Sequence, residues 1–144
     1  MEVIESDGPP TVLAVGLGPD EKLLESIKEA VRTHGVRDGA VVSGIGTLKQ
    51  CHMHYVNTST FPPENVYYNV EEPVEVGSIS GLIADYEPHL HIAIGCKDQR
   101  TYIGHLEEGS IVLYLAEVMI LKMKDLHLKR DSSNRWGIDL LRAR

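Results

Sequence analysis

The stretch that decides the fold class is residues 39–57, GAVVSGIGTLKQCHMHYVN, an apolar run broken by glycines that leads into an alternating segment. The alternation predicts two faces of an extended strand, with Cys51, Met53 and Tyr55 on one and His52, His54 and Val56 on the other. The glycines of the apolar run favour a bulge or a tight contact with a ligand or subunit. Strand structure is therefore expected on both sides of Lys49.

Five further segments have strand patterns, and strands dominate the chain. They are residues 11–15, residues 66–70, Val74–Ala84, residues 89–95 and Ile111–Met123. Residues 58–65 carry two prolines and are predicted as a loop. Residues 130–144 have no clear pattern, but their apolar side chains, from Trp136 onward, suggest an end that packs on the domain or on a neighbouring subunit.

One helix is predicted after the turn at Gly18. Pro19 suits its first position, Asp20 and Glu21 suit its first turn, and Gly35 suits its end. Its apolar stripe consists of Leu23, Leu24, Ile27, Ala30 and Val31. The sequence therefore predicts a single compact α+β domain, with a mixed or antiparallel sheet packed on one main helix.

The bulk properties predict one domain over residues 1–144, with a core at about residues 10–125. The length is that of a typical domain, and 42% of the residues are hydrophobic, which suffices for a core. No apolar run reaches the roughly 18 residues of a membrane span, and the acidic N-terminus does not resemble a secretory signal. A cytoplasmic protein with no membrane partner is expected. Cys51 and Cys96 are predicted to be buried free thiols.

The charge is unevenly distributed along the chain. The net charge is −7, but residues 122–144 hold 7 Lys and Arg against 3 Asp and Glu. An acidic body repels phosphate backbones, so DNA binding could involve only this basic C-terminal segment. Its cations could equally serve to balance acidic neighbours and to solvate the surface.

Three histidines have a spacing suited to a metal ion. His89 and His91 are two residues apart, so in a strand their imidazoles face the same side, with Cα atoms about 6.5–7 Å apart. His105 follows 14 residues after His91, and a turn predicted at residues 96–100 would return it over the pair. Gly104 would permit a close approach of the backbone. From spacing alone, a metal site and a histidine-lined pocket without metal both remain open.

Three histidines with a free fourth position are typical of catalytic rather than structural Zn²⁺ sites. Ni²⁺ and Fe²⁺ also accept imidazole, so the identity of the ion stays open. His52 and His54 could face the same ion or lie on an exposed face, and the second reading is favoured. Glu117 interrupts an apolar strand. It is the candidate catalytic base, but it could also be a partner of a metal histidine or one end of a structural ion pair, and the ion pair is the favoured reading.

Several motifs together resemble the PPC domain (plants and prokaryotes conserved, also written PCC), in the stand-alone prokaryotic form related to plant AT-hook proteins. They occur in family order at residues 42–48, VSGIGTL, residues 77–81, GSISG, residues 88–91, PHLH, residues 104–106, GHL, and residues 116–118, AEV. The resemblance covers roughly residues 10–125. One departure is the single Gly104 before His105, where the family often has two glycines.

The resemblance implies a compact α+β fold and a homotrimer, and it matches His89, His91 and His105 to the family's metal-binding histidines. Family members are often associated with DNA, but this chain has no Arg-Gly-Arg-Pro-like hook. The expected function is therefore a zinc-binding homotrimer with DNA binding by family association, and DNA and its own copies are the expected partners. The alternative is a metal-dependent enzyme that acts on a small polar molecule through a Zn²⁺-bound water.

Overall fold

The computed structural model describes all 144 residues and contains nine strands and one helix. In chain order the elements are β1 (Thr11–Leu17), α1 (Leu23–Thr33), β2 (Asp38–Val56), β3 (Asn65–Val70), β4 (Val74–Ala84), β5 (Glu87–Cys96), β6 (Thr101–Leu106), β7 (Ile111–Met123), β8 (Leu128–Asp131) and β9 (Leu140–Ala143). The two strand predictions on either side of Lys49 merge into the 19-residue β2. The loop predicted over residues 58–65 is confirmed except for Asn65, which begins β3, and the predicted limits of β4 and β7 are confirmed.

All strand pairings are antiparallel. Seven strands form the main sheet, in the order β1-β7-β2-β4-β5-β6, with β3 paired to β2. The last strand of this series, β6, also pairs with the far end of β2, where Met53 lies opposite Leu106 and His54 opposite His105. The strands β2, β4, β5 and β6 therefore form a closed ring of pairings, and this ring carries the histidines.

The fold class is only partly as predicted. The molecule is a single compact domain, but it is a β-rich fold with one short helix, and the sheet contains no parallel pair. α1 has 11 residues, of which Leu23, Leu24, Ile27 and Val31 are buried in the shared core. The prediction of a sheet packed on one main helix is therefore replaced by a curled antiparallel sheet to which the helix adds one apolar face.

The helix also begins later than predicted. Pro19, Asp20 and Glu21 lie in a turn before it, because Asp20 N donates to Val112 O and Val112 N donates to Glu21 O. These bonds tie the turn to β7, and Lys22, whose backbone is extended, becomes the N-cap. The predicted end is confirmed, since Gly35 has φ +61° and its N–H donates to Arg32 O.

Beyond residue 124 the chain forms a β8–β9 hairpin, which no local sequence pattern indicates. The hairpin is attached through Asp38, whose exposed fraction is 2%. Asp38 Oδ1 accepts from Leu128 N, and Asp38 Oδ2 accepts from Arg144 Nη2 at 3.1 Å. The C-terminal end is therefore packed on the domain, as one of the two sequence readings suggested.

Two smaller predictions concern the thiols and the membrane. Cys51 and Cys96 are free and buried, as predicted. The only helix has 11 residues, which is too few to cross a bilayer.

Candidate metal centre

The β5–β6 hairpin places the three predicted histidines side by side. His89 and His91 project from β5 on the same side of the strand, and His91 lies directly opposite His105 on β6. The ring centroids are 5.6 Å apart for His89 and His91, 4.6 Å for His89 and His105, and 5.7 Å for His91 and His105. The turn predicted between the two strands is present, with Cys96 N donating to Arg100 O and Gln99 N to Cys96 O.

Two glycines let the backbones approach closely enough for this arrangement. A Cβ at Gly81 on β4 would lie 2.0 Å from His89 O, and a Cβ at Gly104 on β6 would lie 2.7 Å from His54 O. Both values are well below an ordinary van der Waals contact. Glycine at these positions therefore sets the spacing of β5 from β4 and of β6 from β2, as the sequence indicated for Gly104.

One ligand nitrogen from each of His89, His91 and His105 lies within 4.8 Å of the other two. Ligands of one Zn²⁺ at bond lengths of about 2.0–2.1 Å are roughly 3.3 Å apart, so small side-chain rotations bring the set to coordination distance. The donor set is all imidazole, which suits Zn²⁺, Ni²⁺ and Fe²⁺ better than hard cations. The chemistry and the spacing of the three residues thus fit a transition-metal ion.

The cluster opens into a cavity of about 260 Å³. His91 is exposed, while His89 and His105 are half-buried. The cavity is lined by His54, Tyr55, Val56, His89, His91, Ile103, Gly104 and His105. A fourth ligand on an ion at this position would therefore come from solvent or from a small molecule.

The environment keeps two of the three imidazoles uncharged at neutral pH. Burial, together with the neighbouring His89 and His54, lowers the pKa of His105 to about 4. Burial also lowers the pKa of His89, and the positive charge of Arg130 on β8 acts in the same direction. Neutral imidazole has a free lone pair, so these residues need no deprotonation to bind a cation.

His54 also belongs to this cluster, which the sequence left as the less favoured reading. Its ring stacks on that of His105, with centroids 4.5 Å apart and an interplanar angle of 22°. Its Nδ1 donates a hydrogen bond of 2.5 Å to Glu107 Oε1. His52 lies two residues away and is engaged elsewhere, with Gln50 and with the carbonyl of Glu108. The H-x-H pair was the only sequence signal for His54, and Glu107 had none.

The candidate catalytic base Glu117 lies away from the histidines. It is on β7 opposite Gly16 and Ile45, exposed, and it lines a separate cavity of about 410 Å³. The acids that flank His89 are also engaged elsewhere, since Asp85 pairs with Arg37 and Glu87 pairs with Arg32. None of these carboxylates belongs to the histidine cavity.

Most cations of the basic C-terminal segment have partners within the chain. Arg144 pairs with Asp38 and Asp85, and Arg142 pairs with Glu2. Lys129 lies 3.7 Å from Asp131. Lys122 donates to the carbonyl of His34. The contacts of Arg144, Arg142 and Lys129 balance acidic neighbours, which is one of the two roles that the sequence left open.

Comparisons with known proteins define the family. The profile of the Plants and Prokaryotes Conserved (PCC) domain matches residues 4–124. The chain therefore belongs to the PCC, or PPC, domain family, as its motifs indicated. A curated relative, the bifunctional protein GlmU of a Synechococcus strain, is 24% identical over 126 residues, covering 88% of this chain. The chain spans only 19% of that relative's length.

Solved structures have the same fold over nearly the whole chain. A metal-containing protein of Archaeoglobus fulgidus is 25% identical with a TM-score of 0.83, covering 97% of this chain and 98% of its own. A PPC protein of Pyrococcus horikoshii is 23% identical with a TM-score of 0.80, and the match covers 99% of this chain and 96% of that protein. A protein of Bacteroides thetaiotaomicron that is described as a putative DNA-binding protein is 17% identical with a TM-score of 0.79. The match covers 98% of this chain and 96% of that protein.

Proposed function

We propose that this protein is a metal-binding homotrimer of the PPC family, in which His89, His91 and His105 hold a divalent ion, with Zn²⁺ as the first choice. The observation that carries the proposal is the convergence of three ligand nitrogens within 4.8 Å of one another. Two of the imidazoles have lowered pKa values and are ready to bind without losing a proton. The similar Archaeoglobus fulgidus protein, described as metal-containing, gives independent support.

Elemental analysis of the purified protein tests the site. We expect bound transition metal in the wild type and one ion fewer per chain in His89→Ala. The matched control is His34→Ala, which removes an exposed histidine at the end of α1 and should leave the metal content unchanged. Wild-type protein that stays metal-free after growth and dialysis with Zn²⁺ would contradict the proposal.

The ion would act first on the stability of the fold. Its ligands come from two strands, so binding would hold β5 and β6 together. A ligand that binds only the folded state stabilises it by mass action. Chelation should therefore lower the melting temperature of the wild type by more than it lowers that of His89→Ala.

The homotrimer is proposed from the family and from an exposed apolar face of the sheet. On the outer side of β1, β2 and β7 the exposed apolar side chains include Val12, Val42, Ile45, Leu115 and Met119. Such a face on a small domain is typical of an interface with another chain. A second and third copy of this chain would cover it and would also enclose Glu117.

DNA binding is a further possible function, because two proteins of similar structure are described as putative DNA-binding proteins. The net charge of −7 opposes DNA binding by the whole chain, and Arg142 and Arg144 of the basic segment are engaged in internal ion pairs. Any contact would be electrostatic and would weaken steeply as salt rises. A gel-shift assay in roughly 100 mM salt tests it, and the absence of a shift there excludes a DNA role of this kind.

A metal-dependent enzyme is the second candidate, favoured by the cavity of about 260 Å³ beside the histidines. A bound Zn²⁺ would supply a water of lowered pKa at its open position. Within one chain Glu117 lines a different cavity, which speaks against it as the base for that water. A loss of a hydrolytic or hydratase activity in His89→Ala, with the fold intact, would distinguish this candidate from a purely structural site.

A further inference from the structure

The histidine cluster continues past the three residues proposed as metal ligands. His54 on β2 lies opposite His105 on β6, and Glu107 follows β6 directly. The His54 side chain is 16% exposed and that of Glu107 is 32% exposed, so both are partly shielded from water and still reachable from it. The pairing of β2 with β6 therefore adds two more potential metal ligands on the far side of His105.

These residues form a ligand set of their own. One ligand atom from each of His54, His105 and Glu107 lies within 4.8 Å of the other two. Two histidines and one glutamate make up the donor set of several catalytic Zn²⁺ sites, and two histidines with one carboxylate also hold non-haem Fe²⁺. The spacing and the donor types are thus compatible with a metal site.

We propose that His54, His105 and Glu107 bind a second divalent transition-metal ion, so that the cluster holds two ions that share His105. The proposal deepens the three-histidine site proposed above, because His105 belongs to both sets. To serve both ions, His105 would release its remaining ring N–H proton to solvent and bridge them as an imidazolate, with one ring nitrogen on each ion. The five residues would then form one two-ion centre along β2, β5 and β6.

The metal-free geometry is close to what a second ion requires. His54 Nδ1 and Glu107 Oε1 are joined by a hydrogen bond of 2.5 Å, whereas two ligands of one tetrahedral ion lie roughly 3.3 Å apart. The ion would take the place of the shared proton and push the two atoms apart by about 1 Å. Because the Glu107 side chain is partly exposed, rotation about its side-chain bonds can move Oε1 by this distance. The near-parallel rings of His54 and His105 would also turn slightly.

The competing explanation is that the His54–Glu107 pair only orients the ring of His105 through stacking. Hydrogen-bonded partners outside the ligand shell do this in many metal sites, and their loss weakens binding about 10–100-fold without changing the number of ions. Stoichiometry therefore separates the two explanations, while affinity alone does not.

The experiment measures bound Zn²⁺ per chain in the full-length protein, after chelation, reloading with a small excess of Zn²⁺ and gel filtration. We expect two ions in the wild type, one in Glu107→Gln, one in His91→Gln and none in the double variant. The matched control is Glu108→Gln, which removes the adjacent carboxylate, paired with Lys28 at 2.7 Å, and should keep two ions. Circular dichroism checks the fold, and His54→Gln replaces Glu107→Gln if that variant is unstable.

Each result decides between the proposals. One ion in the wild type, kept in Glu107→Gln and lost in His91→Gln, overturns the second site and leaves the three-histidine site standing. One ion that is kept in His91→Gln and lost in Glu107→Gln would contradict the three-histidine site instead. No ion in the wild type overturns both.

Discussion

His105 is the residue on which the cluster depends, because it contacts histidines from two other strands. Its ring meets those of His89 and His91 edge to face and stacks on that of His54. Burial among these groups favours the neutral imidazole, which is why its pKa falls to about 4. In the metal-free protein, protonation of this residue therefore works against folding.

Acid should destabilise the metal-free protein in a defined window. In the unfolded chain His105 has a pKa near 6.5, so between about pH 6.5 and 4 the unfolded state binds the proton that the folded state rejects. The free energy of unfolding should fall as the pH drops through this window. The part of it due to His105 is expected to be about 1 kcal/mol between pH 7.5 and 5, reduced by solvent screening.

Urea unfolding of the metal-free wild type and of His105→Gln at these two pH values checks this expectation. Glutamine keeps a polar side chain of similar length that does not titrate, so its pH dependence should be smaller. Equal pH dependence in both proteins would show that His105 is not the group responsible.

At the scale of the element, the contact between β6 and β2 is made possible by Gly104. Replacing Gly104 with alanine would put a Cβ 2.7 Å from the backbone oxygen of His54, which cannot move without opening the ladder. We expect a loss of about 1–3 kcal/mol in the free energy of unfolding and weaker metal binding, since His105 would shift with β6.

Chemical denaturation and a Zn²⁺ titration measure the two effects of Gly104→Ala. Gly95→Ala on β5 is the control, because an added Cβ there meets nothing within 4 Å. The control should match the wild type in both measurements. A Gly104→Ala protein as stable as Gly95→Ala would mean that the close approach of β6 to β2 is not required.

The sequence predicted those elements whose pattern is local. The limits Val74–Ala84 and Ile111–Met123 follow from the two-residue alternation and from apolar composition, and His105 was placed near His91 by hairpin length. The turn at Asp20 was missed because hydrogen bonds to Val112, far along the chain, override the helix-starting residues. Strands β8 and β9 have four residues each, too few for a period to be visible.

The same contrast between local patterns and long-range contacts applies to the candidate site. His89 and His91 share a strand face, so spacing alone pairs them. His54 and Glu107 join them only through the pairing of β2 with β6. This pairing brings together residues more than fifty positions apart in the chain, so no local pattern predicts it. The position of Glu117 away from the histidines could not be predicted, because a strand pattern indicates the face on which a residue lies but not the cavity it lines.

At the scale of the whole molecule, the exposed apolar face of β1, β2 and β7 predicts self-association. Ile45 is 50% exposed in the single chain, so aspartate there should be tolerated by the fold and should disrupt contact with another copy. We expect the wild type to have three times the 16.0 kDa mass of one chain. The mass of Ile45→Asp should shift from this value toward that of a single chain.

Light scattering coupled to gel filtration measures the mass of both proteins. Val3→Asp is the control, since Val3 is 71% exposed on the N-terminal segment, outside the apolar face. It should assemble like the wild type. A wild-type protein that elutes at the mass of one chain would exclude the trimer.

The closed ring of β2, β4, β5 and β6 has a practical consequence for engineering. Every ligand-bearing strand is held by neighbours on both sides, so the relative positions of the imidazoles do not depend on the connection at residues 57–64, which only leads into β3. A reporter peptide or fluorescent label could be grafted into that connection as a handle for imaging or immobilisation, with the cation-binding chemistry left undisturbed.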